Sequence, residues 1–236
     1  MKSFLTFLLL SSFLISACQK IFFNDDESIR ELPLQDFHAV KISGIYNLVL
    51  IQDSTNRLVI TGKNRINFIE ADIIDDTLII DDHKKTTFNP ARNTLTLHFS
   101  NLKCMIFNDP VTLSNRDTIR ADKFTLVAIG EIAEVRLLIR CNYLMALNSA
   151  NTLGNFYFRG KAETCWFWNR YGSNMFADSL QCKDVVVYNE SIGDVKVNAS
   201  DNILAFIRGP GNIYYRGSPV IKISEQKGDG KIIPLD

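Results

Sequence analysis

Short apolar runs separated by small-residue turns make up most of the chain from Phe37 onward. Leu48 to Ile51, Leu58 to Ile60 and Leu78 to Ile80 are each followed by polar or Gly residues that favour turns. Such runs of aliphatic and β-branched residues are typical of β-strands, and none has the length or the period of about 3.6 residues of a helix. The pattern therefore predicts an all-β chain with almost no helix.

The turns recur at a nearly constant spacing in the second half of the chain. Six residues begin a strand after a small-residue turn: Ile132, Phe156, Met175, Val195, Ile213 and Ile232. Their successive separations are 24, 19, 20, 18 and 19 residues. A period near 20 residues is too short for a propeller blade, and it suits one coil of a β-solenoid. We therefore expect a β-solenoid with coils of about 20 residues.

Within each coil, alternate side chains are expected to face inward and to stack on the same position of the next coil. Val195 and Val197 then point inward while Lys196 points outward, and Phe156 and Phe158 fit the same scheme. The turn glycines are expected where the backbone needs a positive φ or approaches another coil closely.

The N-terminal residues predict export and lipid anchoring. One lysine precedes the apolar run Phe4 to Ile15, which has the length of a signal peptide and is too short to span a bilayer. The order Ile15-Ser16-Ala17-Cys18 resembles the lipobox of bacterial lipoproteins. This resemblance implies acylation of Cys18 and stable attachment to a membrane. The alternative is an ordinary secretory cleavage after Ala17.

Three segments are predicted on this basis. Residues 1–17 form a lipoprotein signal peptide, residues 18–35 the lipidated cysteine and a tether, and residues 36–236 a β-helix domain. The acidic cluster Asp25-Asp26-Glu27 resembles signals that route some lipoproteins to the cell surface, and a polar linker is the simpler interpretation. The expected location is the bacterial cell envelope, with the outer membrane as the site of the anchor.

Charge and cysteine content narrow the expected partners. The chain has 26 basic and 26 acidic residues, and no stripe of Lys and Arg accumulates along the sequence. A nucleic-acid partner, which needs a concentrated basic surface, is therefore not expected. Cys104, Cys141, Cys165 and Cys182 have no CxxC spacing and no neighbouring histidine, so we expect no metal and no other cofactor. We expect four buried thiols, with one or two disulfides as the alternative.

Residues that could carry catalysis are sparse. His38, His83 and His98 stand outside any metal-binding or catalytic motif, so no catalytic residue is assigned. Some β-helices degrade acidic polysaccharides with clustered charged residues on an outer face. The corresponding candidates are Asp178, Lys183, Asp184, Asp194 and Lys196. Charged residues beside turns also solvate the outside of a solenoid, so the enzyme is the alternative to a non-catalytic protein.

Aromatic side chains give a candidate binding surface. Tyr157, Tyr188 and Tyr214 occupy outward positions by the alternation, and Phe167 lies between two tryptophans. Aromatic rings stack on sugars and anchor protein interfaces, so these four rings are predicted to form an outward, ligand-facing stripe. The alternative is an aromatic stack inside the core.

Several motifs resemble the head GIN domain family, the head domain of auto-transporter adhesins. The first is Phe37-x-x-Val40-x-Ile42-Ser43-Gly44, a repeated turn unit is kept as Ile192-Gly193-Asp194-Val195, and the closing element begins at Tyr214. The match covers roughly residues 37–236, and it departs at Asn148-Ser149-Ala150-Asn151 and at Asn169-Arg170-Tyr171. The resemblance implies a right-handed single-stranded β-helix on an exported, often lipid-anchored protein, and it implies no established activity.

The expected function is that of a non-catalytic surface or envelope lipoprotein module, adhesive or structural. It would be held at the membrane by its N-terminal lipid and would bind a glycan or an envelope protein through the outer solenoid face. The alternatives are a polysaccharide-active β-helix enzyme and an envelope sensor or assembly partner. An outer groove with converging carboxylate and basic side chains favours the enzyme, and a flat aromatic or polar face favours the binding module.

Overall fold

The computed structural model describes residues 27–63, 66–82 and 93–235. They form a β-solenoid of about 7 turns with coils of about 20 residues, as the repeat predicted. Within these ranges, the helical structure is one 3-10 turn at Ile66–Phe68, and no helix has the length and apolar character needed to cross a membrane. Cys18 and His83 lie outside the described residues.

The strands follow the apolar runs of the sequence. In chain order they are β1 (Ser28–Pro33), β2 (Ala39–Ile42), β3 (Tyr46–Gln52), β4 (Arg57–Gly62), β5 (Ile69–Ile74), β6 (Thr77–Asp82), β7 (Asn93–Phe99), β8 (Cys104–Phe107), β9 (Val111–Asn115), β10 (Ile119–Ala128), β11 (Ile132–Asn148), β12 (Leu153–Tyr171), β13 (Asn174–Ser191), β14 (Val195–Ile207), β15 (Ile213–Arg216), β16 (Val220–Gln226) and β17 (Ile232–Pro234).

Successive coils pair in parallel and build two stacks of strands. The first stack runs β1, β4, β7, β3 and β9, continues through the first halves of β11 to β14, and ends with β15 and β17. The second stack runs β5, β6, β2 and β8, continues through the second halves of β10 to β14, and ends with β16. The long strands bend midway, so each serves both stacks.

The strand register confirms the repeat and corrects one of its members. Phe156, Met175, Val195, Ile213 and Ile232 occupy one line of the first stack. In the preceding coil this line is continued by Val135, whereas Ile132 pairs with Leu153. Replacing Ile132 with Val135 as the start changes the first separation from 24 to 21 residues (156 − 135). The long interval was therefore a misalignment of the repeat, and the coil itself is regular.

Inward side chains fill the interior as the alternation predicted. Phe156, Phe158, Val195 and Val197 are fully buried. Buried side chains of successive coils stack on one another, so each coil is stabilised mainly by its two neighbours.

Buried asparagines occupy the same corner of three successive coils. Asn148, Asn169 and Asn189 are fully buried. Nδ2 of Asn169 donates to the carbonyl oxygen of Ser173 at 2.8 Å and to Oδ1 of Asn189 at 3.1 Å, and Nδ2 of Asn189 donates to the carbonyl oxygen of Gly211 at 2.8 Å. Because these amides satisfy buried carbonyls of the next coil, they join the coils at this corner. Both segments that depart from the family turn begin with one of these asparagines.

Antiparallel strands cover the N-terminal end of the solenoid. β1 pairs with β4, and β5 forms a hairpin with β6. Residues 28–33 were expected in the tether of residues 18–35, so part of that segment belongs to the folded body. β1 has no fully buried side chain, and Nη1 of Arg30 donates to the carbonyl oxygen of Ile69 at 2.8 Å. Backbone pairing at a sheet edge needs no hydrophobic alternation, which is why the sequence did not reveal this strand.

A disulfide corrects the expectation of four buried thiols. Cys165 is bonded to Cys182 on the next coil, while Cys104 and Cys141 are free. Burial, with a smaller contribution from Asp122, raises the pKa of Cys141 to about 12.

Candidate functional site

The structure separates the four rings that were predicted to form one stripe. Tyr157 and Tyr214 lie on the outer side of the first stack, Tyr188 lies on the outer side of the second stack, and all three are partly exposed. Phe167 is fully buried in the core. The predicted stripe is therefore not formed as a single surface.

The assignment of Phe167 as a ligand-facing ring is wrong because the alternation shifts at the bend. Glu163 and Thr164 are consecutive and neither is buried, so the inward positions change from even to odd numbers. Phe158 points inward before the bend and Phe167 points inward after it, with their ring centroids 5.6 Å apart. An alternation carried through the bend without this shift places Phe167 on the same side as Tyr157.

The outer side of the second stack carries an apolar surface two residues wide. Its two lines on successive coils are Met145, Trp166, Val186 and Leu204, and Leu147, Trp168, Tyr188 and Phe206. We call these eight residues the aromatic band. All eight are partly exposed, whereas the alternate residues between the two lines, such as Phe167 and Val187, are buried. The sequence analysis missed this surface, although two tryptophans two residues apart were a signal for it.

Tyr188 is the centre of the ring contacts in the aromatic band. Its ring stacks on Phe206 with centroids 4.1 Å apart and an interplanar angle of 5°. The rings of Trp166 and Trp168 lie 5.9 and 5.6 Å away and are tilted. The guanidinium of Arg170 lies 3.6 Å from the ring centroid of Trp168. The rings thus cover one another along the stack, and together they present a continuous apolar surface.

Charged side chains form one margin of the aromatic band. Arg208 donates to Glu190 at 2.6 Å and to Glu225 at 2.9 Å, and Arg170 lies 3.4 Å from Glu190. Hydrogen bonds from Lys227 and then from Arg208 hold the pKa of Glu225 below its usual value. The margin therefore carries both signs of charge at neutral pH.

A narrower aromatic row lies on the first stack. Arg136, Tyr157, Phe176, Lys196 and Tyr214 are in line on successive coils, and we call them the cation ladder. The guanidinium of Arg136 lies 4.1 Å from the ring of Tyr157, and Nζ of Lys196 lies 5.3 Å from Phe176 and 5.9 Å from Tyr214. Each cation is thus placed against a ring of its own row, which satisfies both partners within the protein.

The charged residues considered for catalysis lie at different places. Lys183 and Asp184 are at the bend, Asp194 and Lys196 are on the first stack, and Asp178 is at an irregular register between β13 and β14. Asp184 accepts a hydrogen bond from Asn202 at 2.6 Å, and Asp194 accepts one from the backbone of Asn212 at 2.8 Å. Both carboxylates therefore bind the next coil.

The two described histidines have acidic neighbours. Nδ1 of His38 lies 2.8 Å from Asp76, and Nδ1 of His98 lies 3.1 Å from Asp53. The described ranges contain no group of three or more side chains placed to bind a metal ion.

Comparisons with known proteins give the same architecture. A family model described as "Putative auto-transporter adhesin, head GIN domain" matches residues 36–219. A "putative adhesin" from Bacteroides fragilis superposes with a TM-score of 0.80 at 22% identity, covering 90% of this chain and 99% of that one. Another from Parabacteroides distasonis gives 0.67 at 15% identity, covering 90% and 98%. A "putative lipid binding protein" from Parabacteroides distasonis gives 0.62 at 16% identity with the same coverage. No curated protein matched the chain.

Proposed function

Because the chain belongs to the head GIN domain family of auto-transporter adhesins, we propose that it is a non-catalytic adhesive module that binds a protein partner through the aromatic band. The observation that carries this proposal is the continuity of the band, which spans two lines of side chains on four successive coils. A solenoid holds such a surface rigidly, because each coil is fixed by its neighbours.

The composition of the aromatic band favours a protein over a glycan. Protein interfaces have an apolar centre with a charged rim, and Trp, Tyr and Arg contribute most of their binding energy. The band has this arrangement, with Trp168 and Tyr188 near its centre and Arg208 at its margin. Sugar stacking needs free ring faces, whereas Tyr188 and Phe206 are stacked on each other. The cation ladder is a weaker candidate because its rings are already paired with cations.

We also propose that acylation of Cys18 anchors the module in the cell envelope, as the lipobox resemblance implies. Labelling with a fatty-acid precursor tests this proposal. The wild-type chain should incorporate the label, and Cys18→Ala should not. Equal labelling of both chains would overturn the anchor and leave the adhesive proposal intact.

Photo-crosslinking in intact bacteria that produce the chain tests the binding surface. A photoreactive amino acid at position 186, inside the aromatic band, should give an adduct that protease digests. The matched control places the same group at Ser179, an exposed residue of the same coil outside the band. Replacing Trp168 and Phe206 with Ser should remove the adduct at position 186.

Several outcomes would contradict the proposal. Equal adducts at positions 186 and 179 would show that the band is not selective. An adduct that resists protease and carries sugar would favour the glycan partner. A lipid adduct would favour the activity in the name of the structural neighbour from Parabacteroides distasonis. Cleavage of a polysaccharide panel by the wild-type chain, lost on replacing Asp184 and Asp194, would favour the enzyme.

A further inference from the structure

Three basic residues stack directly on one another before the bend. Arg120 pairs in register with Arg140, and Arg140 pairs with Lys161, and we call these residues the basic row. Adjacent strands lie about 4.8 Å apart, so the basic row places three cations along about 10 Å of the solenoid axis. All three are exposed, and within the described part of the chain none has an ion-pair partner within 4.0 Å.

The coil period conceals the basic row in the linear sequence. Its members are 20 and 21 residues apart, so the sequence analysis found no basic stripe. The expectation that basic residues are dispersed is therefore wrong for the folded chain. Like charges in line on neighbouring strands destabilise a sheet, so the row lowers stability until an anion lies against it.

The basic row lines a groove with a volume of about 890 Å³. Five basic residues line it (Lys103, Arg120, Lys123, Arg140 and Lys161), against two acidic residues (Asp122 and Glu163). Glu163 is already paired with Lys183, which lies outside this lining. The groove is thus strongly positive on a chain whose formal net charge is zero.

Amide side chains complete the walls of the groove. Gln52 is fixed at one wall, since its Nε2 donates to the carbonyl oxygen of Arg120 at 2.9 Å and its Oε1 accepts from the backbone of Arg120 at 2.8 Å. Asn142 donates to Asp122 at 2.7 Å, and Asn101 also lines the groove. Amides offer both donors and acceptors, which are the groups that bind sugar hydroxyls.

We propose that this groove binds a linear acidic polysaccharide, with its anionic groups against the basic row. A chain of sugars with repeated carboxylate or sulfate groups matches cations repeated along one axis, and the guanidinium forks of Arg120 and Arg140 suit such groups. The volume is within the range of ligand sites. Single-stranded nucleic acid fits less well, because base stacking needs aromatic side chains and the lining has none.

The polysaccharide site is separate from the aromatic band. The residues that line the groove and the eight residues of the band do not overlap. A failure of either proposal therefore leaves the other untouched.

Titration of the full chain, purified in detergent, tests the proposal. The probes are an oligogalacturonate, which carries carboxylates, and heparin, which carries sulfates, with neutral dextran as the negative control. The test variant is Arg120→Gln/Arg140→Gln/Lys161→Gln. The matched control, Lys41→Gln/Arg216→Gln/Lys231→Gln, removes the same three charges from exposed positions outside the groove.

We expect the wild-type chain to bind at least one anionic probe and not dextran. The Kd should rise at least about tenfold in the row variant and stay within about twofold in the control, and the affinity of the row variant should depend less on salt because fewer counterions are released. The row variant should melt at the same or a higher temperature, since it loses only exposed, mutually repelling charges.

Four results would overturn the proposal. They are no binding of either anionic probe by the wild type, unchanged binding by the row variant, an equal loss in the control variant, and tighter binding of a single-stranded DNA of matched charge. A row variant that melts below the control would count against the repulsion argument, and an arginine-to-lysine version of the row, which keeps the charge, would then have to retain the affinity.

Discussion

Replacing Gly211 with Ala is expected to push two coils apart. A Cβ at this position would lie 1.9 Å from the carbonyl oxygen of Gly193 on the preceding coil and 3.0 Å from Nδ2 of Asn189. Non-bonded heavy atoms normally rest at about 3.5 Å, so the backbone would have to move by more than about 1 Å. The carbonyl belongs to the main chain, and no side-chain rotation can relieve the overlap.

The cost of Gly211→Ala follows from the contacts that the shift disturbs. The backbone N–H of Gly211 donates to Ser191 at 3.0 Å, and its carbonyl accepts from Asn189 at 2.8 Å. Overpacking costs about 1–3 kcal/mol, and weakening one or two buried hydrogen bonds adds about 1 kcal/mol each. Replacing Gly also stabilises by about 0.4–1 kcal/mol through the unfolded chain. We expect a net loss of about 2–4 kcal/mol in the free energy of unfolding.

Gly172→Ala is the matched control. Its added Cβ would lie 2.4 Å from Cδ2 of Leu153, and the next contact is at 3.9 Å. A rotation of the leucine side chain relieves this overlap, so we expect a change within about 1 kcal/mol. Urea unfolding followed by tryptophan fluorescence measures both variants. A loss of less than about 1 kcal/mol in Gly211→Ala, or an equal loss in both variants, would refute close packing of coils as the reason for this glycine.

Three further predictions follow from the core. Removing the disulfide with Cys165→Ala/Cys182→Ala should lower the free energy of unfolding by about 3 kcal/mol in urea, because it closes a loop of 17 residues, and an unchanged midpoint would count against it. Phe167→Ala should cost about 3–5 kcal/mol in the same assay, and Tyr157→Ala clearly less; the reverse order would place Phe167 outside the core. Iodoacetamide at pH 8 should leave Cys141 unmodified until the protein is unfolded, since its pKa of about 12 leaves almost no thiolate; rapid native labelling seen by mass spectrometry would contradict this.

The coil repeat was predictable because it is a local property of the chain. Each coil places an apolar residue such as Phe156 or Val195 after a turn of small residues, and the separations reveal the period. Inward and outward positions were also predictable within one straight strand, as Val195, Lys196 and Val197 show.

The surfaces were less predictable because they depend on bends and on stacking between coils. Two consecutive outward residues at Glu163 and Thr164 reverse the alternation, and nothing in the sequence marks the bend that requires this. The basic row depends on register, which brings Arg120 and Arg140 side by side although 20 residues separate them. Cys165 and Cys182 likewise meet only once successive coils stack.

Attachment of bacteria that produce the chain to protein-coated and glycan-coated surfaces is the most direct test of the adhesive role of the aromatic band. The account predicts attachment to a protein-coated surface above that of cells lacking the chain. It should be lost in Trp168→Ser/Tyr188→Ser/Phe206→Ser and kept in the cation-ladder control Tyr157→Ser/Phe176→Ser/Tyr214→Ser, with equal amounts of each chain produced. Undiminished attachment of the band variant, or equal loss in the control, would contradict it.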